Sequence, residues 1–423
     1  MRKISKLSLV AAVAVAGFST ANAQPLEEAI KNVEVSGSVV YRYDNFGEDV
    51  NTAGQHENSE KNKYKIGLNL TSKVNDYVKF NSRFLVAAPN DSTGEFADLD
   101  AHKKSDANPE VRLSQANFAF TGIQNTTVIA GKQGLTTPWT VAIDSDGNEQ
   151  NGTGILALST VGPVTAGAGY FNQTNLDKSG NINGTKYNAQ LGHVKNVASI
   201  SGTVLTNNEE LGSRDIYVGT LQADLSPVKL EAWYLDIADT LDSYTLVAKA
   251  NFAPSTDSKI GVEARYVSLT LDNGKKAGLD SNDNEMYRLA VTGNLGIFNA
   301  KVSYTQTDDE GGLTAFDQDA ENATLGWNLS SNGIADAKYW QGVLGVNILD
   351  NLNLSVNYGN LQADDSDNLD VEEVFGQLTY KMSKNLTTYL RYGTYEEKYD
   401  NATGSKEKFS DQNRGRIQVE YTF

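Results

Sequence analysis

Apolar and polar residues alternate in short segments along almost the whole chain. Near its start, Val35, Val39 and Tyr41 stand between polar or small residues, and the same alternation returns in residues 417–423. A period of two places successive side chains on opposite faces of a β-strand, so each segment is a strand with one apolar face. We count about 18 to 21 such segments, among them 187–193 and 323–329, and hardly any helix. The chain is therefore predicted to be all-β.

The connections between these segments alternate in length. Short turns are predicted near 74–76, 162 and 350–351. Long loops, acidic or rich in Gly and Asn, are predicted at 44–61, 88–109, 272–284, 307–321, 364–370 and 396–413. Short turns at one end of the strands and long loops at the other are typical of an outer-membrane barrel, whose short turns face the periplasm. A soluble β-sandwich is the alternative, but it has no reason to separate its loops by length. We predict a transmembrane antiparallel β-barrel surrounded by outer-membrane lipid and lipopolysaccharide.

The polar faces of the strands indicate what the barrel encloses. Charged residues such as Arg42, Arg83 and Arg112 alternate with apolar ones, so the inner face cannot form a dry core. Eight strands leave an interior that side chains fill, whereas 16 to 18 strands leave an aqueous channel. At about ten residues a crossing, about 18 strands use about 180 residues and leave the remainder for loops. We predict a water-filled pore.

The last predicted strand ends on Phe423. A terminal apolar residue needs a partner strand or an apolar solvent, because chain ends usually fray into water. In a closed barrel the last strand pairs with the first, and Phe423 lies against lipid. We expect Phe423 to act as the assembly signal that the barrel-assembly machinery reads.

Residues 1–23 have the pattern of a secretory signal peptide. Three basic residues precede an apolar run at 7–18, and small residues at 21–23 close it. We predict cleavage after Ala23 and one barrel domain over 24–423. An N-terminal membrane anchor is the alternative, but the apolar run is too short to span a bilayer.

Composition excludes several classes of function. The exported chain would keep 33 of the 36 basic residues against 53 acidic ones, a net charge of about −20. Nucleic acid is an unsuitable partner, since neutralising phosphates requires a basic surface. The chain has no Cys and only three scattered His, and it lacks a Gly-x-Ser-x-Gly motif, so we predict no enzyme.

Three ordered blocks of sequence resemble the major outer membrane porin of Campylobacter and its relatives. They are PLEEAIKNVEVSG at 25–37, YRYD at 41–44, and VIAGKQ at 128–133 followed by Trp139 and AID at 142–144. The matches cover about the first third of the chain. The remainder of the chain resembles the family in its pattern of alternating strands. The resemblance implies an 18-stranded trimeric porin of the outer membrane that is selective for cations. It also implies a third loop folded into the pore and a calcium ion at that constriction.

Residues 133–154 are predicted to be this constriction loop. Apolar residues are embedded in a segment otherwise rich in Gly, Asn and Thr: Leu135, Pro138, Trp139, Val141 and Ile143. Apolar anchors inside a polar loop suit a segment that packs on the barrel wall.

Three carboxylates follow the anchors within six residues. Asp144, Asp146 and Glu149 surround a glycine in a turn-forming stretch, and calcium prefers several carboxylate oxygens on such a backbone. The resemblance supports Asp144 as a calcium ligand, with Asp177 as a second ligand by approximate position. The alternative is an acidic Asp-Gly turn that holds no metal.

Basic residues are expected across the pore from this acidic loop. Arg42, Arg83, Arg112 and Lys132 are the candidates, and the resemblance also shows basic residues at Arg42, Arg112 and Lys132. Opposed charges would set a transverse field that orients dipolar solutes, and the acidic balance would favour cations. The alternative is that each cation only pairs with a neighbouring carboxylate of the wall.

The sequence thus predicts a porin for passive diffusion of ions and small hydrophilic solutes, with a preference for cations. The alternative is a structural or adhesive outer-membrane barrel whose long loops bind partners without conducting.

Overall fold

The computed structural model describes residues 33–50, 57–88, 95–102, 109–176, 211–272, 281–317, 319–364, 368–400 and 404–423. The predicted signal peptide, Asp177 and the predicted strand 187–193 lie outside these ranges. Within them the chain is almost entirely β-strand and loop. No helix in the described part of the chain is long and apolar enough to cross a membrane.

The described residues form 19 strands in one sheet. They are β1 (Val33–Val50), β2 (Glu57–Lys73), β3 (Val78–Ala87), β4 (Ala97–Asp98), β5 (Glu110–Ile123), β6 (Thr126–Gly134), β7 (Asn151–Val161), β8 (Val164–Thr174), β9 (Ile216–Asp224), β10 (Val228–Ile237), β11 (Leu241–Ser255), β12 (Ser258–Leu271), β13 (Asp283–Leu295), β14 (Phe298–Thr307), β15 (Ala337–Leu349), β16 (Leu352–Ala363), β17 (Leu369–Lys381), β18 (Leu386–Asp400) and β19 (Lys406–Thr422).

Eighteen of these strands close into an antiparallel barrel. The strand β4 has two residues and pairs only with the end of β2, while β3 pairs directly with β5. Every other strand pairs with its neighbour in sequence, and β1 pairs with both β2 and β19. The prediction of a closed barrel of about 18 strands is confirmed.

The two faces of the wall differ as the alternation predicts. Outward-facing Leu289 and Leu344 are 61% and 63% exposed, a fraction that would be costly in water but suits contact with lipid. Arg288, adjacent to Leu289, points to the opposite side and pairs with Glu263 of the neighbouring strand at 2.7 Å. Apolar side chains therefore cover the outside, and charged groups lie inside.

One predicted strand is wrong. Residues 323–329 lie between β14 and β15, in a loop that spans 308–336 and replaces the shorter loop predicted at 307–321. Trp327 and Leu329 are buried there, because the loop packs inside the barrel against its wall. The apolar side chains of this segment are mostly buried by packing of the loop, so their alternation does not indicate a membrane strand. The predicted strand 187–193 is not needed to close the wall, since β8 pairs directly with β9.

Phe423 follows β19 and is hydrogen-bonded to β1 where the barrel closes. Its backbone exchanges two hydrogen bonds with Gly37, from Gly37 N at 2.9 Å and from Phe423 N at 3.1 Å. A Cβ at Gly37 would lie 2.9 Å from the Phe423 ring and would collide with the Gly67 carbonyl oxygen. The ring is 41% exposed and stacks on Tyr421, with 5.9 Å between ring centroids. Glycine at position 37 thus lets β1, β2 and β19 approach closely beneath the outward-facing ring of Phe423.

Replacing Phe423 with Lys is expected to reduce the amount of folded barrel strongly. The change places a charge on the lipid-facing side and removes the ring that covers Gly37. Heat-modifiable mobility of outer-membrane protein in electrophoresis measures the folded fraction. Phe423→Trp, which keeps an aromatic ring, should fold normally. Wild-type amounts of folded Phe423→Lys protein in the outer membrane would contradict the assignment.

Candidate pore constriction

The connection between β6 and β7 folds into the barrel. It comprises residues 135–150, called here the constriction loop, and is shorter than the predicted 133–154 because the flanking residues belong to the two strands. Trp139 is fully buried, and its Nε1 donates to Ser243 Oγ of β11 at 2.9 Å. Leu135 is also buried, in the apolar cluster that contains Trp139. Ile143, also predicted as an apolar anchor, is instead 47% exposed.

A second loop, residues 308–336 between β14 and β15, also enters the barrel and meets the first. Phe316 N donates to Trp139 O and Asn322 N to Pro138 O, each at 2.8 Å. Gln150 Nε2 donates to Asp317 Oδ2 at 2.8 Å. The two loops are therefore joined inside the barrel by both main-chain and side-chain hydrogen bonds.

The barrel wall holds the second loop in place. Glu373 of β17 accepts hydrogen bonds from Trp327 N at 2.6 Å and Asn328 N at 2.7 Å. On the other side, Arg265 of β12 donates to Asn322 Oδ1 at 2.9 Å. Buried backbone groups are costly when unpaired, so these bonds let a long loop lie inside the barrel.

The three carboxylates of the constriction loop point in three directions, although they are close in sequence. Glu149 is 1% exposed and accepts hydrogen bonds from Lys65 Nζ at 2.8 Å, Arg83 Nη2 at 2.7 Å and Ser114 Oγ at 2.5 Å. Burial alone would raise the pKa of Glu149, but the Arg83 hydrogen bonds and the Lys65 charge outweigh it and lower that pKa. Glu149 is therefore an ionised anchor to β2, β3 and β5.

Asp146 faces the arginines of the wall. Its Oδ1 lies 3.2 Å from Arg42 Nη1 and 3.6 Å from Arg416 Nη1. Arg42 also donates to Ser145 O at 2.6 Å. The structure thus brings Arg42 and Arg83 into direct ion pairs with the acidic loop, as in the alternative in which each cation pairs with a neighbouring carboxylate.

Arg112 and Lys132 bond to other parts of the structure than Arg42 and Arg83 do. Arg112 Nη2 lies 3.4 Å from Glu95 Oε1, in the loop between β3 and β5. Lys132 Nζ donates to the Leu113 carbonyl at 2.9 Å. These two cations support the wall beside the loop.

Asp144 joins two carboxylates of the second loop. One oxygen each of Asp144, Asp317 and Asp319 lie within 4.8 Å of one another. Asp144 is 6% exposed and accepts bonds from Asn148 N at 2.7 Å and Asn148 Nδ2 at 2.6 Å. Gly147 permits this turn, since its φ of +83° suits glycine and a Cβ would lie 2.5 Å from the Phe96 ring.

This carboxylate cluster needs positive charge or protons. Burial and the charge of Asp319 raise the pKa of Asp144 to about 7. Burial, a hydrogen bond with Asp319 and the charge of Asp144 raise the pKa of Asp317 to about 10. Three partly buried carboxylates with convergent oxygens are a donor set that suits a hard divalent cation.

The whole chain, residues 1–423, matches the sequence model of the family described as Campylobacter major outer membrane protein. The chain belongs to this family. No curated protein sequence matches it. As a member of the Campylobacter major outer membrane protein family, it is a porin-like barrel of the outer membrane, and the predicted family is confirmed.

Solved outer-membrane barrels share the fold at low sequence identity. OpdL of Pseudomonas aeruginosa is 13% identical with a TM-score of 0.69, over 93% of this chain and 99% of that one. OccAB3 of Acinetobacter baumannii is 14% identical with a TM-score of 0.68, over 92% and 99%. OccAB2 of the same organism is 17% identical with a TM-score of 0.67, over 92% and 98%. These likenesses support the barrel architecture.

Sequence reasoning predicted a loop at 307–321 but missed that it folds into the barrel, and so missed Asp317 and Asp319 as site residues. Asp317 is fully buried, in a segment with many buried polar residues such as Asn322 and Asn332. Buried polar residues of this kind signal a loop packed inside the protein, but nothing local shows that the loop reaches Asp144, over 170 residues away. The other predicted ligand, Asp177, lies outside the described residues.

Replacing Glu149 with Gln is expected to destabilise the folded barrel by about 3–5 kcal/mol, because the buried Arg83 would lose its carboxylate partner and the buried Lys65 would keep only Glu95. The temperature of the heat-modifiable transition measures the effect. Asp76→Asn is the control, since Asp76 forms an exposed pair with Lys73 whose loss should cost little. Equal transition temperatures for Glu149→Gln and Asp76→Asn would contradict the anchoring role.

Proposed function

We propose that this protein is a water-filled channel for passive diffusion of ions and small hydrophilic solutes across the outer membrane. The observation that carries the proposal is the closed 18-stranded barrel with a charged inner face, narrowed by two loops that meet inside it. A barrel of this size encloses an aqueous lumen. Inward loops leave a passage whose width and charge select what crosses.

We further propose a preference for cations. The loops at the narrowing contribute Asp144, Asp146, Asp317 and Asp319, and the chain carries a formal net charge of −17. Acidic side chains at a constriction raise the local concentration of cations and repel anions. Arg42 and Arg416 offset Asp146, so the preference rests mainly on Asp319, the most exposed carboxylate of the cluster, and on the acidic balance of the chain.

Reconstituted protein is expected to give discrete conductance steps in a planar bilayer and a cation-selective reversal potential in a KCl gradient. Asp319→Asn should shift that potential towards anions because one negative charge at the constriction is lost. Asp239→Asn, in the exposed turn between β10 and β11, is the control with the same charge change outside both loops. Folded protein that never conducts would instead favour the adhesive barrel.

We also propose that the carboxylate cluster holds a calcium ion. Asp144, Asp317 and Asp319 would bind it, and the ion would supply the positive charge that these buried groups lack. A bound ion would join the constriction loop to the second loop. Asp144 retains the ligand role predicted from the sequence, while Asp177 stays a prediction.

Chelation is expected to lower the melting temperature of the wild-type barrel, since removing the ion leaves three carboxylates in mutual repulsion. Asp144→Asn should reduce this sensitivity to chelator. Asp146→Asn is the matched control, because it removes the same charge from the same loop but belongs to the arginine contacts. A wild-type melting curve that chelator leaves unchanged would remove calcium from the proposal.

Export and assembly complete the proposal. Cleavage after Ala23, insertion by the barrel-assembly machinery through the Phe423 end, and assembly into a homotrimer in contact with lipopolysaccharide are the expected steps. An SDS-resistant trimer band in unheated samples tests the oligomer, and a monomeric mass in mild detergent would contradict it.

A further inference from the structure

A space of about 310 Å³ lies in the lumen between the second loop and the wall opposite it. Four cations and two carboxylates of described residues border it, so the formal charges around it are positive in sum. Its other walls include the apolar side chains Leu325 and Trp327. The charged groups are Arg288, Lys301, Arg391, Arg416, Asp319 and Glu321.

Most of these charges already have a protein partner. Arg288 pairs with Glu263 at 2.7 Å, and Arg416 with Asp44 at 2.6 Å. Glu321 contacts Arg265 and lies 3.4 Å from Lys249. Asp319 accepts from Ser145 N at 2.7 Å in addition to its place in the carboxylate cluster. The two carboxylates beside the space are therefore occupied.

Arg391 differs from these residues because its contacts are neutral. Its Nε donates to Gln377 Oε1 at 2.7 Å, and its guanidinium lies 5.0 Å from the Trp327 ring centroid and 4.9 Å from that of Phe375. Among the described residues no carboxylate pairs with it, and its Nη atoms have no hydrogen-bond acceptor there. The aromatic rings position the guanidinium group of Arg391, whose charge has no carboxylate partner among the described residues.

Lys301, at the border of the space, supplies a second charge that has no ion pair among the described residues. It is exposed on the inward face of β14 and makes no hydrogen bond or ion pair with any residue in the described ranges. A guanidinium fork matches a carboxylate in shape, and a second cation nearby strengthens the attraction.

We propose that this space binds small organic monocarboxylates. Arg391 would hold the carboxylate, Lys301 would add attraction from the same space, and the apolar part of the solute would lie against Leu325 and Trp327. The apolar wall distinguishes an organic acid from an inorganic anion. The inference rests on the proposed channel function, since solutes must reach the lumen.

Benzoate and benzamide are suitable probes because they share a ring and differ in charge. The full-length wild-type barrel in detergent should broaden the NMR lines of benzoate and leave those of benzamide sharp. Arg391→Gln and Lys301→Gln should each weaken benzoate binding by about tenfold, as expected for loss of one charge-assisted contact. Lys79→Gln, on the inward face of β3 in another part of the wall, is the matched control and should bind like wild type. Heat-modifiable mobility confirms that each variant is folded.

Conductance separates this inference from the proposed channel function. Benzoate added to a conducting wild-type channel should cause transient current blocks that Arg391→Gln and Lys301→Gln shorten. A channel that conducts but shows no benzoate binding, or that binds benzamide equally, would overturn the carboxylate site alone. Equal binding of inorganic phosphate would overturn the organic acid class. A folded barrel that never conducts would overturn the channel itself, whatever it binds.

Discussion

The antiparallel pairing of β1 with β19 is the contact on which the rest of the structure depends. Hydrocarbon offers no partners for backbone N–H and C=O groups, so a sheet in a membrane must leave no edge. Closure through Gly37 and Phe423 meets that requirement and separates an apolar outside from a polar inside. With 18 strands the enclosed space is too wide for wall side chains to fill, and the chain itself has to narrow it.

The two loops that narrow the lumen carry buried polar groups, which would destabilise the fold if they had no hydrogen-bond partners. Glu149 fixes one loop to β2 and β3, Glu373 fixes the other to β17, and the two loops bond to each other through main-chain groups. The buried Glu149 and Arg83 pair with each other, and Lys65 pairs with Glu149, as low-dielectric surroundings require. The Asp144 cluster and the partly exposed Arg391 and Lys301 have no partner of opposite charge among the described residues, and these are the places where we propose ligands.

Local pattern was enough to predict the wall and one loop. Period-two alternation and segregated loop lengths depend only on neighbouring residues, so strands such as β1 and β19 could be predicted. Trp139 marked the constriction loop because an apolar residue in a polar loop needs a packing surface. The pattern failed at 323–329, where packing against the lumen wall copies the alternation of a membrane strand. It also failed for Asp317 and Asp319, since their proximity to Asp144 arises from contacts between distant parts of the chain.

Two main-chain hydrogen bonds join the two loops, from Phe316 N to Trp139 O and from Asn322 N to Pro138 O. Main-chain groups are the same in nearly every amino acid, so side chains at this junction can change while the bond pattern persists. Inserting or deleting a residue in either loop would instead displace the paired groups. Pore width in this barrel is therefore tolerant of point substitution and sensitive to loop length. Channels of new diameter would arise most readily by changing how many residues lie between β6 and β7 or between β14 and β15.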